Sequence, residues 1–172
     1  MGSARVLLWP GDDIDTSAPP AAWATDTSGG TPPSNGLATV TRFRGFDAAS
    51  DEAIAFNIVL PSNYSSGGTV VFRFSSAAAT SGDCVWKYAY ALERPGTTDW
   101  DGIVYGTVST STQTTSATAG VAKSVSLDLG VSGAAAGDIL CVFLGRDADN
   151  VADTLAGDAE FRAPWSVTWT TV

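Results

Sequence analysis

The sequence predicts an all-β domain: an antiparallel two-sheet sandwich of jelly-roll type, with about eight strands and an extended N-terminal arm. One observation is the alternation of apolar and polar residues between Gly68 and Leu92, which is typical of strands with one buried face. Another is a composition rich in Gly, Ser, Thr and Ala, without long runs of Leu, Glu and Lys. The third is a series of such segments at spacings of roughly 10–20 residues, separated by turn residues.

Two consecutive segments, 69–74 and 84–90, show the alternation most clearly. We interpret them as the central strand pair of the domain, joined by a small, polar linker that ends in Gly82-Asp83. Their inward residues are large and mostly apolar: Val70, Phe72, Phe74, Cys84, Trp86, Tyr88 and Tyr90.

Further strands are predicted at 5–9, 39–46, 53–60, 124–129, 139–144 and 165–170. The Thr-rich segment 103–118 is compatible with either an edge strand or a long loop. The side chains expected to be buried are Phe72, Phe74, Trp86, Tyr88, Leu127 and Phe143.

The N-terminal region has a different composition. Five of the eight prolines fall between Pro10 and Gly36, which favours an extended arm over a packed element. We therefore divide the chain into residues 1–36, a first strand followed by the arm, and residues 37–172, the sandwich domain. Ile14 and Trp23 are isolated apolar residues of the arm and its candidate docking positions on a neighbouring subunit. A disordered tail is the alternative.

The charge of the chain excludes two classes of partner. The formal net charge is -9, and the nine Lys and Arg residues are scattered singly. Because phosphate binding requires clustered basic residues, we expect no nucleic acid partner. We expect no membrane either, because an anionic surface would repel the chain and no apolar run approaches the roughly 20 residues of a spanning helix.

Catalytic signatures are weak. The sequence contains no histidine, which removes Ser-His-Asp catalysis, Cys-His catalysis and His-ligated zinc. Glycoside hydrolysis requires two carboxylates that flank a sugar cleft, and the adjacent candidates are Asp51-Glu52 and Asp99 with Asp101. Neighbouring carboxylates on loops are more often solvated turn residues. We therefore expect a protein that is not an enzyme and has no cofactor.

Residues 147–153 superficially resemble a calcium-binding loop. Val151 stands at the fifth position, where an oxygen ligand is expected, and Ala152 at the sixth, where the sharp turn needs Gly. We interpret the segment instead as Asx turns with a pairing between Arg146 and a nearby Asp, and we predict no metal site.

The two cysteines, Cys84 and Cys141, are too few for a disulfide framework. We predict two buried free thiols that act as small apolar side chains. A cross-strand disulfide is the alternative.

Asp99, Trp100 and Asp101 form the most suggestive exposed group. An indole ring can stack on a sugar ring while flanking carboxylates accept hydrogen bonds from its hydroxyl groups. The alternative is a loop tryptophan that folds back over the sandwich. These three residues are the predicted sugar contacts if the protein binds carbohydrate.

Turn and strand motifs occur at residues 45–53, 60–64, 80–86, 137–138 and 146–147. Together they resemble a family of small β-sandwich virion proteins of tailed phages and prophages, some of which are head decoration (cement) proteins. The resemblance covers roughly residues 38–172 and leaves out the proline-rich arm. It implies a structural role without catalytic residues.

The acidic charge adds a constraint to this resemblance. Inside a packed head an acidic protein would be repelled by DNA phosphates, so it belongs outside the shell or on the tail. The resemblance thus implies a decoration protein on the outer capsid surface that binds the major capsid protein and forms a homo-oligomer, a trimer. A carbohydrate- or receptor-binding module of a phage tail or fibre is the alternative.

Overall fold

The computed structural model describes residues 2–8, 13–15, 22–26 and 41–172. Side chains are described from Phe43 onward, apart from those of Trp100, Ala163 and Pro164. The described residues are almost entirely strands and turns, with one 3-10 turn at Trp100–Gly102. No helix in these ranges has the length and hydrophobicity needed to cross a membrane.

The structure describes eleven strands. In order they are β1 (Gly2–Leu8), β2 (Asp13–Asp15), β3 (Ala22–Asp26), β4 (Thr41–Phe46), β5 (Glu52–Val59), β6 (Tyr64–Ser75), β7 (Asp83–Glu93), β8 (Ser109–Thr114), β9 (Lys123–Asp128), β10 (Ile139–Arg146) and β11 (Ala159–Thr171).

These strands form two antiparallel sheets. The six-stranded sheet has the order β3-β4-β11-β6-β9, and β1 pairs with the second half of β11; the five-stranded sheet has the order β2-β5-β10-β7-β8. Without β1, β2 and β3, the orders β4-β11-β6-β9 and β5-β10-β7-β8 are those of an eight-stranded jelly roll. The predicted all-β, two-sheet jelly-roll sandwich is therefore confirmed.

Short strands from the N-terminal region join both sheets. β2 pairs with β5, where Ile14 lies opposite Ala55, and β3 pairs with β4, where Trp23 lies opposite Arg44. The segment predicted as an extended arm thus contributes two strands to the sheets of its own chain. Docking of Ile14 and Trp23 on a neighbouring subunit stays a prediction, and the rest of the arm lies outside the described residues.

The two strands predicted as a central pair lie in different sheets. β6 lies between β11 and β9, whereas β7 lies between β10 and β8. Each is an internal strand of its own sheet, but the two strands do not pair with each other, so the predicted pairing is wrong. The linker 76–82 explains the difference, because it is longer than a tight hairpin loop and allows the chain to cross between sheets.

The core lies between the two sheets and centres on Trp86, which is fully buried. Phe46, Phe72 and Phe74 contact its indole edge-on, with ring centroids at 5.4, 4.8 and 5.7 Å. Such edge-on contacts are the favoured geometry of aromatic pairs. The predicted facing of β6 and β7 is confirmed by the burial of these residues.

Among the predicted core residues, Phe143 lies outside the core, and Tyr88 packs against the core but is only partly buried. In β10, the core positions are taken by Leu140, Val142 and Leu144. Phe143 lies on the outer face of the sheet, half-buried against Tyr105, with ring centroids 6.0 Å apart. Its predicted burial in the core is wrong, because alternation cannot distinguish the faces of a strand that is apolar on both.

Candidate functional site

A cleft opens at one end of the sandwich, where the β4–β5, β6–β7 and β10–β11 loops come together. Its volume is about 530 Å³, within the usual range of ligand pockets. β4 and the start of β11 supply one wall, and the loops supply the rest. The lining includes Phe43, Asp47, Glu52, Ser76, Asp158 and Glu160.

Phe43 is the aromatic residue of the cleft wall. It lies on the outer face of β4, opposite Arg162 of β11 in the sheet register, and is partly exposed. The central guanidinium carbon of Arg162 lies 5.2 Å from the ring centroid, within the range of a cation–π interaction. This stacking orients the ring, and a pre-oriented ring loses less entropy when a ligand packs on it.

A closed polar network supports the same wall. Glu160 Oε2 accepts hydrogen bonds from Ser75 Oγ and from Arg162 Nη2, both at 2.6 Å. Arg162 Nε donates to Ser75 Oγ at 2.7 Å. Ser75 and Glu160 are both buried, so the network satisfies polar groups that would be costly to bury unpaired.

The β4–β5 loop contributes Asp47 and Glu52. The Asp47 N–H donates to Glu52 Oε2 at 2.6 Å, and Asp47 Oδ1 accepts from the Ala49 N–H at 2.5 Å. The second bond shapes the loop as an Asx turn. With Asp158 and Glu160, the described lining holds four carboxylates and no Lys or Arg, which makes the cleft acidic.

Arg146, the last residue of β10, anchors the β10–β11 loop from within. Its Nε and Nη2 donate to the two carboxylate oxygens of Asp153 at 3.0 and 2.8 Å. Its remaining N–H groups donate to the carbonyls of Phe46, Leu155 and Gly157. The predicted pairing of Arg146 with a nearby Asp is confirmed, and it gives a fully buried guanidinium a partner for every donor.

Gly157 brings two of the cleft loops into contact. A Cβ atom built there would lie 2.8 Å from Ser76 Oγ, which is too close for any residue with a side chain unless the serine moves. The β6–β7 and β10–β11 loops therefore meet at a fixed point at the edge of the cleft.

A separate acidic group, Asp51, Asp147 and Asp149, joins the β4–β5 and β10–β11 loops. Its carboxylate oxygens lie within 4.8 Å of one another, and the Lys87 ammonium binds Asp51 and lies 3.5 Å from Asp147. Partial burial raises the pKa of Asp51, but Lys87 and the backbone N–H groups that donate to it outweigh this effect and lower that pKa overall. Because the Lys87 ammonium offsets part of its charge and binds Asp51, we interpret the cluster as a link between loops.

The carboxylates Asp51 and Glu52, adjacent in sequence, separate in the structure. Asp51 pairs with Lys87, whereas Glu52 is buried and lines the cleft. They therefore do not act together on one ligand.

The predicted sugar contacts lie at the opposite end of the sandwich from the cleft. Asp99 and Asp101 are exposed in the β7–β8 connection, and Asp99 Oδ1 accepts the Asp101 N–H at 3.1 Å. The side chain of Trp100 lies outside the described residues. A role for Asp99, Trp100 and Asp101 in sugar binding stays a prediction.

Both cysteines are free and buried, as predicted. Cys84 points into the core and Cys141 to the outer face of the same sheet, so no disulfide can join them. Burial raises the pKa of Cys84 to about 12 and also raises that of Cys141. Neither thiol is therefore a reactive thiolate at neutral pH.

Sequence reasoning missed the cleft, because its lining comes from loops far apart in the chain. The available signals were acidic residues next to strand ends, such as Asp47 and Asp158, and these resemble ordinary turn residues. Once assembled, the cleft combines an oriented aromatic ring with carboxylates that accept hydrogen bonds. This combination suits a ligand with an apolar face and several hydroxyl groups.

No family model matches the chain, and no curated protein matches it in sequence. Solved structures similar to it include CBM35 from Cellvibrio japonicus Abf62, with 12% identity, a TM-score of 0.48, and coverage of 98% of this chain and 99% of that chain. The CBM22-1 xylan-binding domain from Paenibacillus barcinonensis Xyn10C is similar with 10% identity and a TM-score of 0.47. The match covers 99% of this chain and 87% of that chain.

The family 11 carbohydrate-binding module from Clostridium thermocellum, in complex with a β-1,3-1,4-mixed-linked tetrasaccharide, is also similar. It has 9% identity and a TM-score of 0.44, with coverage of 95% of this chain and 87% of that chain.

Proposed function

We propose that this protein is a non-catalytic carbohydrate-binding module, and that its binding site is the cleft at the β4–β5, β6–β7 and β10–β11 loops. The observation that carries the proposal is the partly exposed Phe43 ring, held by Arg162 beside the four carboxylates of the cleft. This proposal corresponds to the alternative that the sequence left open, but it uses a different site.

The chemistry of a sugar matches the two kinds of group in the cleft. One face of a pyranose ring is lined by C–H groups and packs on an aromatic ring, as other apolar surfaces do. Its hydroxyl groups can donate to carboxylate oxygens, which only accept when ionised. Phe43 would therefore supply the packing surface, and the exposed Asp47 and Asp158 would supply acceptors.

The charge of the cleft narrows the class of glycan. The described lining is acidic, and the whole chain carries a net charge of -9. A polysaccharide with carboxylate or sulfate groups would be repelled. We therefore propose a neutral polysaccharide as the ligand.

The buried carboxylates support a non-catalytic role. Glu160 Oε2 already accepts two hydrogen bonds, and Glu52 Oε2 accepts the Asp47 N–H. Such contacts hold both side chains in structural positions.

Affinity electrophoresis in gels that contain single polysaccharides tests the proposal. We expect retardation by at least one neutral polysaccharide among xylan, mixed-linked β-glucan and galactan, and none by polygalacturonate, which is anionic. Unchanged mobility in all the neutral gels would contradict carbohydrate binding. Release of shorter sugars on prolonged incubation with the bound polysaccharide would contradict the non-catalytic role.

A further inference from the structure

The two sides of the sandwich differ in whether the described N-terminal strands extend the sheet edges. On one side, the N-terminal strands β2 and β3 pair with β5 and β4. On the other side, β8 and β9 are the last strands of their sheets within the described part of the chain. An edge strand presents unpaired N–H and C=O groups, which are ready to pair with another strand.

Of these two edge strands, β9 has charged side chains, which oppose pairing with the edge of another sheet, and β8 has none. β9 begins with Lys123 and ends with Asp128, and both are exposed. Charged side chains of this kind oppose edge-to-edge pairing. In contrast, no charged residue occurs between Asp101 and Lys123, the stretch that contains β8.

Exposed apolar residues flank the same strand. Val104, Val108 and Val121 are 83%, 52% and 50% exposed. Single exposed valines are ordinary, but these three belong to the one uncharged stretch around β8. They precede and follow β8 in the chain and add exposed apolar side chains to this uncharged stretch.

We propose that β8 pairs antiparallel with β8 of a second copy, so that the five-stranded sheets of two subunits join across a two-fold axis. An antiparallel pair of identical strands satisfies this symmetry directly, because each strand presents the same groups to the other. The exposed Thr110 and Thr112 would lie among the cross-strand neighbours, where β-branched residues pack well.

Electrostatics favours a second copy at this edge over other places on the surface. Two chains of net charge -9 repel one another, and the repulsion is weakest where neither surface carries a charge. The stretch also lacks any charged group that would recognise an acidic or basic partner. Because pairing about a two-fold axis closes as a dimer, the proposal replaces the trimer that the virion resemblance implied.

Sedimentation velocity over a concentration series tests the interface. We compare the full chain with a Thr110→Lys/Thr112→Lys variant of β8 and with a Ser124→Lys/Ser126→Lys variant of β9. All four positions are exposed, and both variants change the net charge equally, so only the site of the change differs. We expect dimers for the full chain and the β9 variant, and a monomer for the β8 variant.

Hydrogen exchange of the unmodified chain gives a second readout that does not depend on the variants folding. The β8 amides should exchange at least tenfold more slowly at high than at low protein concentration, while β9 amides should not change. A monomer at every concentration, a trimer, or a dimer that survives the β8 changes would overturn the proposal. The proposal would also be overturned if the β9 variant were folded and dissociated to the same extent as the β8 variant.

Discussion

Phe43 is the residue on which the proposed binding depends most. Its ring supplies the apolar surface of the cleft, and Arg162 holds it in place. In Phe43→Ala, we expect the affinity for the bound polysaccharide to fall roughly tenfold or more, equivalent to about 1.4 kcal/mol. Isothermal titration calorimetry with an oligosaccharide of that polysaccharide measures the change.

Phe143→Ala is a suitable control for this prediction. Phe143 is also a half-buried aromatic on an outer sheet face, but it lies in the other sheet, against Tyr105. Its removal should leave the affinity unchanged. An equal loss in both variants would show that the effect on Phe43 is not local to the cleft.

Arg146 shows how one buried ion pair can stabilise the loops of the site. Arg146→Met would leave Asp153 with the Val85 N–H as its donor in place of the guanidinium, and would leave the buried carbonyls of Phe46 and Leu155 without the arginine N–H groups. Breaking a buried pair from one side typically costs about 3–5 kcal/mol, and we expect a loss of unfolding free energy of this size in urea. Arg94→Met, at a half-exposed arginine with a 3.4 Å contact to Asp138, should change it by less than about 1 kcal/mol.

Cys84 gives a prediction for alkaline pH. Its folded pKa of about 12 lies above its ordinary value of 9.0, so the folded state favours the protonated thiol. The contribution of this raised pKa to the free energy of unfolding is fully present below about pH 9 and is lost as the pH rises towards 12. Between pH 8 and 10.5, the unfolding free energy in urea should therefore fall less for Cys84→Ala than for the unmodified chain. Identical falls would contradict the burial of this thiol.

At the scale of the strands, alternation predicted most elements and their facing wherever one face was polar. It worked for β6, whose inward Phe72 alternates with the exposed Arg73. It failed for Phe143, because β10 is apolar on both faces. It also could not predict that β6 and β7 lie in different sheets, because pairing depends on contacts between residues distant in sequence.

Phe72 tests the β6 assignment. Its side chain is buried against Trp86, and Phe72→Ala should lower the unfolding free energy by about 3–5 kcal/mol. The neighbouring Arg73→Ala, on the opposite and exposed face, should change it by less than about 0.5 kcal/mol. Urea denaturation of the two variants provides the comparison, and equal midpoints would contradict the facing of this strand.

At the scale of the whole molecule, the jelly roll brings three distant loops to one end, and on one side β8 and β9 are the last strands of their sheets among the described residues. The topology thus creates both the cleft and the proposed interface, and neither could be read from local sequence patterns. The capsid partner, the outer capsid location and the virion resemblance stay predictions, since they concern contacts that a single chain does not contain.

The most direct test of the carbohydrate-binding proposal is a titration of isotopically labelled protein with an oligosaccharide of the retarding polysaccharide, followed by amide chemical shifts. We expect the shifts to concentrate at the cleft, in residues 43–52, 75–78 and 157–162. Shifts concentrated at residues 99–101 would contradict this site and favour the one predicted from sequence. If a saturating concentration of oligosaccharide changes no amide chemical shift in either region, carbohydrate binding itself would be contradicted.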